Sequence, residues 1–289
     1  MIEKLTGLEL RKIFEETGFG FSKSLGQNFL CDERILNLIA DDACISKDQV
    51  VLEIGTGAGT LTRVLAKRAK RVVSVEVDKT LLPVHEKTLE GFENVKVINA
   101  DFLSLDIKKF FEEELEENFA VAANLPYYIT TPIIMSLLES GVKFKSITVL
   151  VQKEVAQRMA AKENTAEYGA LTCAVQFYTK TTLCSKIPAS CFYPAPKVSS
   201  QVIRLERLEE PRVKVQNQKT FFACVKSAFA MRRKTLANNL MASFAFSRTE
   251  AEEIIEKASL PKTVRGEALS LDELAKVSDL IYFKKNNKE

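Results

Sequence analysis

Short apolar runs rich in β-branched residues alternate with helical stretches along the first two thirds of the chain. Five such runs lie at residues 50–54, 71–77, 95–99, 119–123 and 146–151. Strand and helix in strict alternation predict βαβ units, and hence a parallel sheet with helices on both faces. Two further strand-like runs, at 181–187 and 198–205, follow a helical stretch near 169–178. The pattern therefore predicts a seven-stranded α/β sheet whose last two strands form a hairpin, with the strand order left open.

Helical periodicity dominates both ends of the chain. A helix is predicted from Gly7 to Thr17, and a second begins after Asp32, an N-cap residue. After Pro211 the strand pattern stops, and residues 217–283 indicate helices at 221–231, 234–243, 249–258 and 271–283. We therefore predict two domains, an α/β domain at 1–209 and a smaller all-helical domain at 210–289.

Composition and charge narrow the class of protein. The chain has 289 residues, 46% of them apolar, which is enough for two folded domains. No apolar run approaches the ~20 residues that span a bilayer, and residues 1–4 lack the start of a secretory signal, so we expect a cytoplasmic protein that needs no membrane. From Pro211 onward 15 lysines and arginines stand against 9 aspartates and glutamates, a basic excess suited to phosphate contacts.

Cysteine and histidine offer little catalytic or metal chemistry. The six cysteines form no C-x-x-C pair, so we expect free thiols and neither a zinc site nor a disulfide framework. The single histidine, His85, excludes most histidine-based metal sites and catalytic triads. We expect His85 to be a solvated helix residue.

A glycine-rich turn follows the first predicted strand. In E-I-G-T-G-A-G-T, three glycines (Gly55, Gly57 and Gly59) precede a helix, and glycine there permits positive φ and close approach of a ligand to the backbone. A dinucleotide fingerprint requires a glycine where Thr60 stands. The spacing favours a nucleoside cofactor without a pyrophosphate over NAD.

Polar side chains follow the next three strands. Glu76 closes the second strand and suits the ribose hydroxyls, Asp101 follows the third and suits an adenine amine, and Asn124 ends the fourth. Because ligands of such sheets bind at the carboxyl ends of the strands, we expect these groups to converge on one crevice. Two alternatives stay open: Asp78 competes for the ribose, and the acids could simply cap the following helices.

The segment N-L-P-Y at 124–127 ends a buried strand with groups that can grip a flat ligand. A nucleoside cofactor on this fold suggests S-adenosylmethionine and a Rossmann-like class I methyltransferase. For an adenine substrate, the Asn124 side chain and the Leu125 carbonyl can accept both N6 hydrogens. Pro126 stiffens the turn, and Tyr127 offers a ring for stacking. Methylated nitrogen loses its proton easily, so no general base is required.

A second wall for the base is predicted at Phe192. Prolines at 194 and 196 hold an extended loop between the last two strands, and paired aromatic rings commonly sandwich an extruded base. The alternative is that Phe192 only packs beneath that loop.

Several segments together resemble one family, the small-subunit ribosomal RNA adenine dimethyltransferases (the KsgA family). They are G-Q-N-F-L (26–30), E-I-G-T-G-A-G-T-L-T (53–62), V-E-V-D (75–78), N-A-D-F-L (99–103), N-L-P-Y-Y-I-T-T-P-I-I (124–134), V-Q-K-E-V-A-Q-R (151–158), F-Y-P-A-P-K-V-S-S (192–200) and R-R-K-T-L-A-N-N-L (232–240). The resemblance runs nearly end to end.

The resemblance implies dimethylation, at N6, of two adjacent adenosines in the loop of the 3′-terminal hairpin of 16S rRNA, within a maturing 30S subunit. It implies S-adenosylmethionine as cofactor, and we further expect no metal and a monomer. The implied cofactor contacts are Asn28, Leu30, Gly55, Glu76, Asp101 and Asn124, which favours Glu76 over Asp78. The implied adenine contacts are Asn124 to Tyr127 with Phe192, and Arg232, Arg233 and Lys234 are implied to meet rRNA phosphates.

Three alternatives remain. A related methylase that confers macrolide resistance modifies one adenine of 23S rRNA, although the T-T-P-I-I, P-A-P-K-V and R-R-K-T-L segments resemble the 16S enzymes more. A ribosome assembly factor whose binding matters more than its chemistry is the second, and the intact N-L-P-Y favours retained catalysis. A nicotinamide oxidoreductase is the third, disfavoured by Thr60.

Overall fold

The computed structural model describes residues 5–22 and 25–286. Residues 1–4, on which the absence of a secretory signal was predicted, lie outside the described part. Contacts divide the chain into two units. The sheet unit comprises the chain up to Ala156 together with Thr182–Arg207, and the helical unit comprises Gln157–Thr181 and the chain from Leu208 onward.

The strands form one large sheet and one small one. In chain order they are β1 (Phe29–Leu30), β2 (Val50–Ile54), β3 (Arg71–Glu76), β4 (Val95–Asn99), β5 (Phe119–Asn124), β6 (Phe144–Gln152), β7 (Thr179–Ile187), β8 (Phe192–Tyr193) and β9 (Ser200–Arg207). The large sheet has the order β4-β3-β2-β5-β6-β9-β7, which confirms the predicted seven-stranded fold. Strands β2 to β6 pair in parallel, and β9 runs antiparallel to β6.

Burial explains why the central strands are almost wholly apolar. Every residue of β2 is buried, and β5 is buried up to its last residue, Asn124. Helices cover both faces of a parallel sheet, so its inner strands meet no water and carry continuous apolar runs. The first polar side chain of β5, Asn124, then falls where that strand ends, whereas β2 has one buried polar residue before its end, Glu53.

Twelve α-helices accompany these strands in the described residues, and several of them begin at a capping side chain. In chain order they are α1 (Gly7–Thr17), α2 (Glu33–Asp42), α3 (Thr60–Arg68), α4 (Leu82–Thr88), α5 (Ile107–Glu114), α6 (Thr130–Glu139), α7 (Lys153–Met159), α8 (Ala170–Tyr178), α9 (Gln218–Ala228), α10 (Leu236–Phe244), α11 (Arg248–Lys257) and α12 (Leu271–Asn286). The Asp32 side chain accepts from Arg34 N, as predicted for the cap of α2. Thr6 forms a capping box with Glu9 at the start of α1.

The small sheet holds the G-Q-N-F-L segment, which precedes β2 and the glycine-rich turn in the chain. Strands β1 and β8 pair antiparallel, with Phe29 opposite Tyr193 and Leu30 opposite Phe192. Leu30 belongs to the core between α2, α3 and the large sheet, whereas Phe29 packs with α1 and α4. This pairing holds the G-Q-N-F-L segment in place from both sides.

The helical unit has its own core and its own hydrogen bonds. The Tyr168 hydroxyl donates to the Leu269 carbonyl (2.8 Å), and Asn164 N donates to the Glu267 carbonyl (2.8 Å). Residues 157–181 therefore pack with the C-terminal helices, although they precede residue 209 in the chain. The predicted division at residue 209 stays a prediction.

Membrane-spanning helices and metal-binding clusters are both absent from the described residues. Within residues 5–22 and 25–286, no helix combines the length and the apolar character needed to cross a membrane. In the same part of the chain, no group of three or more histidine, cysteine or acidic side chains could hold a metal ion. The six cysteines are free thiols.

Candidate active site

A cavity opens at the carboxyl ends of β2 to β5. Five segments line most of it, at residues 25–30, 53–58, 75–77, 100–102 and 124–129. Parallel strands bring their carboxyl ends to one edge of the sheet, so residues far apart in the sequence meet here. The predicted convergence of Gly55, Glu76, Asp101 and Asn124 on one crevice is what the structure has.

The glycine turn adopts backbone conformations that other residues rarely adopt. Gly57 has φ 54° and Gly59 has φ 78°. A Cβ on Gly57 would lie 3.3 Å from the Phe29 ring, and a Cβ on Gly59 would lie 3.0 Å from Thr88 Oγ1. Both positions therefore combine positive φ with a crowded neighbour, and the turn requires glycine for its shape as well as for access.

The Glu76 carboxylate is bound to the glycine turn. Its Oε2 accepts from Gly57 N (2.8 Å), and its Oε1 accepts from Asp78 N (2.9 Å). Burial raises the pKa of the Glu76 carboxyl, against the lowering effect of these two bonds. The side chain lines the cavity, so its remaining lone pairs can accept from hydroxyl groups.

Asp78, the competing acid, has other partners. Its Oδ2 accepts from Gln27 Nε2 (2.6 Å), and its Oδ1 accepts from Thr80 N (3.0 Å), which caps the turn before α4. Asp78 is not among the residues that line the cavity. This placement supports Glu76 for the ribose.

Asp101 caps a short helix and also lines the cavity, so the structure agrees with the capping alternative and leaves the adenine contact a prediction. It caps the short helix at 102–104, because Oδ1 accepts from Leu103 N (3.0 Å) and Oδ2 accepts from Ser104 Oγ (3.1 Å). It also lines the cavity, where its side chain is exposed. Capping fixes the carboxylate without occupying all of its lone pairs.

The Asn124 amide is oriented by the G-Q-N-F-L segment. Its Nδ2 donates to the Asn28 carbonyl (3.3 Å), which directs the side-chain oxygen of Asn124 toward other donors. The following turn is closed at Pro126, whose carbonyl accepts from Ile129 N (3.2 Å) and Thr130 Oγ1 (3.1 Å). Leu125 between them is buried, so the Asn-Leu-Pro backbone is held firmly.

Two tyrosines complete this wall of the cavity. The Tyr127 hydroxyl and Ser200 Oγ lie 2.6 Å apart, which anchors the half-buried ring. Burial raises the pKa of Tyr127, so its hydroxyl stays protonated. Tyr128 is 56% exposed, and its ring lies beside Gly26. Both rings line the cavity.

Phe192 occupies a different place from the predicted one. The strand register sets Phe192 opposite Leu30, and its ring is buried in the core with Leu30 and Leu36. It is absent from the cavity lining, so this placement does not support a second wall made by Phe192. The alternative, that Phe192 packs beneath its loop, agrees with the structure.

The predicted phosphate contacts lie in the helical unit. Arg232, Arg233 and Lys234 are all exposed in the turn between α9 and α10. Arg232 Nη2 donates to the Ala166 carbonyl (2.8 Å), which restrains one of the three side chains. Their exposure leaves the cationic groups accessible to an anionic partner.

His85 was predicted incorrectly. It is 6% exposed, and its Nε2–H donates to the Gly57 carbonyl (2.7 Å). Burial lowers the pKa of His85, which keeps the ring neutral. The sequence did contain a signal, because Leu81 lies four residues before His85 and Thr88 three residues after it, so the three share one buried face.

Glu53 was overlooked as a member of the cavity wall. Its Oε2 accepts from Thr62 Oγ1 and from Ser74 Oγ, both at 2.6 Å, while Oε1 is buried without a partner among the described residues. Burial raises the pKa of this carboxyl to about 8. A charged residue at the fourth position of an otherwise apolar strand was the available signal.

Comparisons with known proteins agree along almost the whole chain. The sequence model of a family described as ribosomal RNA adenine dimethylase matches residues 18–276. The ribosomal RNA small subunit methyltransferase A of Clostridium acetobutylicum is 46% identical over 94% of this chain and 98% of its own length. Its counterpart in Clostridium perfringens is 46% identical over 99% of both chains.

Solved structures give the same result for the fold. A dimethyladenosine transferase from Plasmodium falciparum has a TM-score of 0.74 and 27% identity, and the match covers 90% of this chain and 98% of that one. The 23S rRNA methyltransferase ErmE has a TM-score of 0.66 and 28% identity, and the match covers 88% of this chain and 100% of that one.

Proposed function

The chain belongs to the ribosomal RNA adenine dimethylase family, and we propose that it dimethylates N6 of two adjacent adenosines in the 3′-terminal hairpin loop of 16S rRNA. As an rRNA adenine dimethyltransferase it uses a methyl donor of the S-adenosylmethionine type. We further propose S-adenosylmethionine itself as the donor, the maturing 30S subunit as the substrate particle, and a monomer as the active form.

The main support for this proposal is the cavity that is lined by the glycine turn, the Glu76 carboxylate and the Asn124 turn. Its chemistry fits the donor: the open glycine backbone admits a nucleoside, and Glu76 provides acceptors for ribose hydroxyls. We assign Asp101 to the adenine and Asn28 to a further contact with the donor, since both residues line the same cavity. When bound, S-adenosylmethionine supplies an electrophilic methyl group carried by a positively charged sulfur.

Positioning is the contribution of this chain to methyl transfer. Adenine N6 is a weak nucleophile because its lone pair is delocalised into the ring. The Asn124 oxygen and the Leu125 carbonyl can accept its two hydrogens, which favours a pyramidal nitrogen whose lone pair is localised and directed at the methyl group. Tyr127, anchored through Ser200, gives the base a ring to stack on. The proton then leaves to water, and no basic side chain is required.

The competing target is 23S rRNA, since ErmE shares the fold. Two relatives named for the small subunit match essentially the whole chain at 46% identity, which favours 16S rRNA. The test is methylation of immature 30S subunits and of 23S rRNA with labelled donor, followed by mass spectrometry of the RNA. We expect two methyl groups on each of two adjacent adenosines of 16S rRNA; label confined to 23S rRNA would overturn the proposal.

Substitution of Asn124 tests whether the protein catalyses methyl transfer or only binds the ribosomal subunit. We expect Asn124→Ala to lower the methylation rate at least about 100-fold, the range seen when one positioned transition-state hydrogen bond is removed, while binding of the 30S subunit is unchanged. Asn124→Asp keeps a side-chain acceptor but loses the donor to the Asn28 carbonyl, so it should retain more activity than Asn124→Ala. Near-normal turnover by Asn124→Ala would favour an assembly factor instead.

A further inference from the structure

An aromatic cluster formed by Phe14, Phe19, Phe21, Phe29 and Tyr193 lies beside the cavity and takes no part in the mechanism above. Phe21 is 42% exposed although its ring is apolar. Its inner edge contacts the rings of Phe14 (5.6 Å), Phe19 (5.6 Å), Phe29 (5.8 Å) and Tyr193 (5.5 Å), measured between centroids. The ring is thus packed on one side and open to solvent on the other.

These contacts make Phe21 a rigid surface rather than a loose side chain. Four aromatic neighbours restrict its rotation, and the pairing of β1 with β8 fixes Tyr193 opposite Phe29. A flat ligand that stacks on an ordered ring loses little side-chain entropy on binding. The exposed face is therefore ready to bind before any ligand arrives.

The cluster also carries a cation. The Arg11 guanidinium lies 4.3 Å from the centre of the Tyr193 ring, and Arg11 is exposed on α1. A protein partner that offered only an apolar surface would gain nothing from this charge. Unpaired nucleotides, in contrast, present a base to stack on aromatic rings or guanidinium planes and a phosphate to pair with the cation.

The cluster is continuous with the cavity. Phe29, which contacts Phe21, lines the cavity and lies against Gly57. Ser22 N donates to Gln27 Oε1 (2.8 Å), and Gln27 also lines the cavity. A nucleotide on Phe21 would therefore be close to one whose base enters the cavity and stacks on Tyr127.

We propose that Phe21, Tyr193 and Arg11 form a stacking site for an unpaired base of the RNA substrate, next in sequence to the adenosine that is methylated. This inference rests on the proposed function and deepens it. The site holds the neighbouring nucleotide out of the hairpin stack, so that the target base enters the cavity with its strand already aligned. Its contribution is to substrate binding and not to methyl transfer.

The first experiment compares two substitutions at one position. Phe21→Leu keeps an apolar side chain and removes the ring, whereas Phe21→Tyr keeps the ring. We expect Phe21→Leu to raise KM for immature 30S subunits by about 5- to 150-fold, the range for one stacked base. The change should leave kcat and the Kd of S-adenosylmethionine near their original values, and Phe21→Tyr should restore KM.

The second experiment observes the base directly. Subunits carry 2-aminopurine beside the target adenosines, and binding of the protein should change its fluorescence through stacking. Phe21→Leu should abolish that change, and Arg11→Gln, a surface substitution that cannot disturb the core, should reduce it and weaken the salt dependence of binding.

Each outcome decides the inference. A KM for Phe21→Leu equal to that of the original protein would overturn it. So would a raised KM with the fluorescence change intact, since Phe21 would then contact something other than this base, such as a ribosomal protein. If the original protein does not methylate the subunits at all, the proposed function fails, and that result is distinct from the other two.

Discussion

Replacement of Glu76 by glutamine tests how the site holds the cofactor ribose. The carboxylate of Glu76 accepts from two backbone donors, Gly57 N at 2.8 Å and Asp78 N at 2.9 Å. A glutamine side chain has one oxygen and one NH2 group in place of the two oxygens. Whichever way the amide is turned, one of the two backbone N–H groups then faces another donor.

The expected magnitudes follow from these bonds. A buried N–H group left without an acceptor costs about 1–3 kcal/mol of folding stability. Glutamine also loses the charge that strengthens hydrogen bonds to ribose hydroxyls, and a bond to a charged group contributes about 1.5–3 kcal/mol. We therefore expect Glu76→Gln to weaken S-adenosylmethionine binding by about 10- to 150-fold.

The assay is isothermal titration calorimetry with the methyl donor, with thermal unfolding as the measure of stability. Asp78→Asn is the matched control, because Asp78 has comparable burial and accepts from Gln27 and Thr80 but does not line the cavity. It should lower stability yet cost clearly less affinity than Glu76→Gln. A larger affinity loss in Asp78→Asn would refute the assignment of the ribose to Glu76.

Two further predictions concern stability. Burial raises the pKa of the Glu53 carboxyl from an ordinary 4.5 to about 8, so between these values the folded protein keeps a proton that the unfolded chain releases. The free energy of unfolding should therefore fall as the pH rises from 5 to 8, by up to about 1.4 kcal/mol per pH unit. Urea titrations at several pH values should show a smaller change of this free energy with pH for Glu53→Gln than for the original protein. An equal change with pH in the two proteins would contradict this reasoning. A Cβ on Gly266 would lie 2.3 Å from the Ala228 carbonyl oxygen, so Gly266→Ala should destabilise the helical unit by about 3 kcal/mol or more. The control is Gly169→Ala, because nothing lies within 4 Å of a Cβ at that position. This variant should have a free energy of unfolding close to that of the original protein in the same urea titration.

Local pattern was sufficient for the large sheet. Each of its seven strands lies within two residues of the predicted run. For the central strands β2 and β5 the reason is burial on both faces, which favours apolar residues along the strand. The same logic located the site. Once the strands are parallel, the polar residue that ends each one must lie at a common edge, so Glu76 and Asn124 could be placed without coordinates.

The local sequence pattern could not predict which distant segments of the chain pair with each other. Strands β1 and β8 are two residues long and about 160 residues apart, too short for periodicity to register. Their register places Phe192 in the core, which the flanking prolines alone could not indicate, so its role as a second wall stays a prediction that this placement does not support. Residues 157–181 give a second case, because their hydrogen bonds to Glu267 and Leu269 depend on contacts some 100 residues away.

The peptide at Gly57 explains why a site that relies on positioning can be built on a glycine turn. Glycine is the most flexible residue, and an unrestrained turn would have to be ordered when the cofactor binds, at a cost in affinity. Here the N–H of Gly57 donates to Glu76 and its carbonyl accepts from His85, so the same residue is held from two sides. The Phe29 ring limits it from a third direction. Glycine thus provides the shape, while its buried neighbours remove the freedom that would otherwise accompany it.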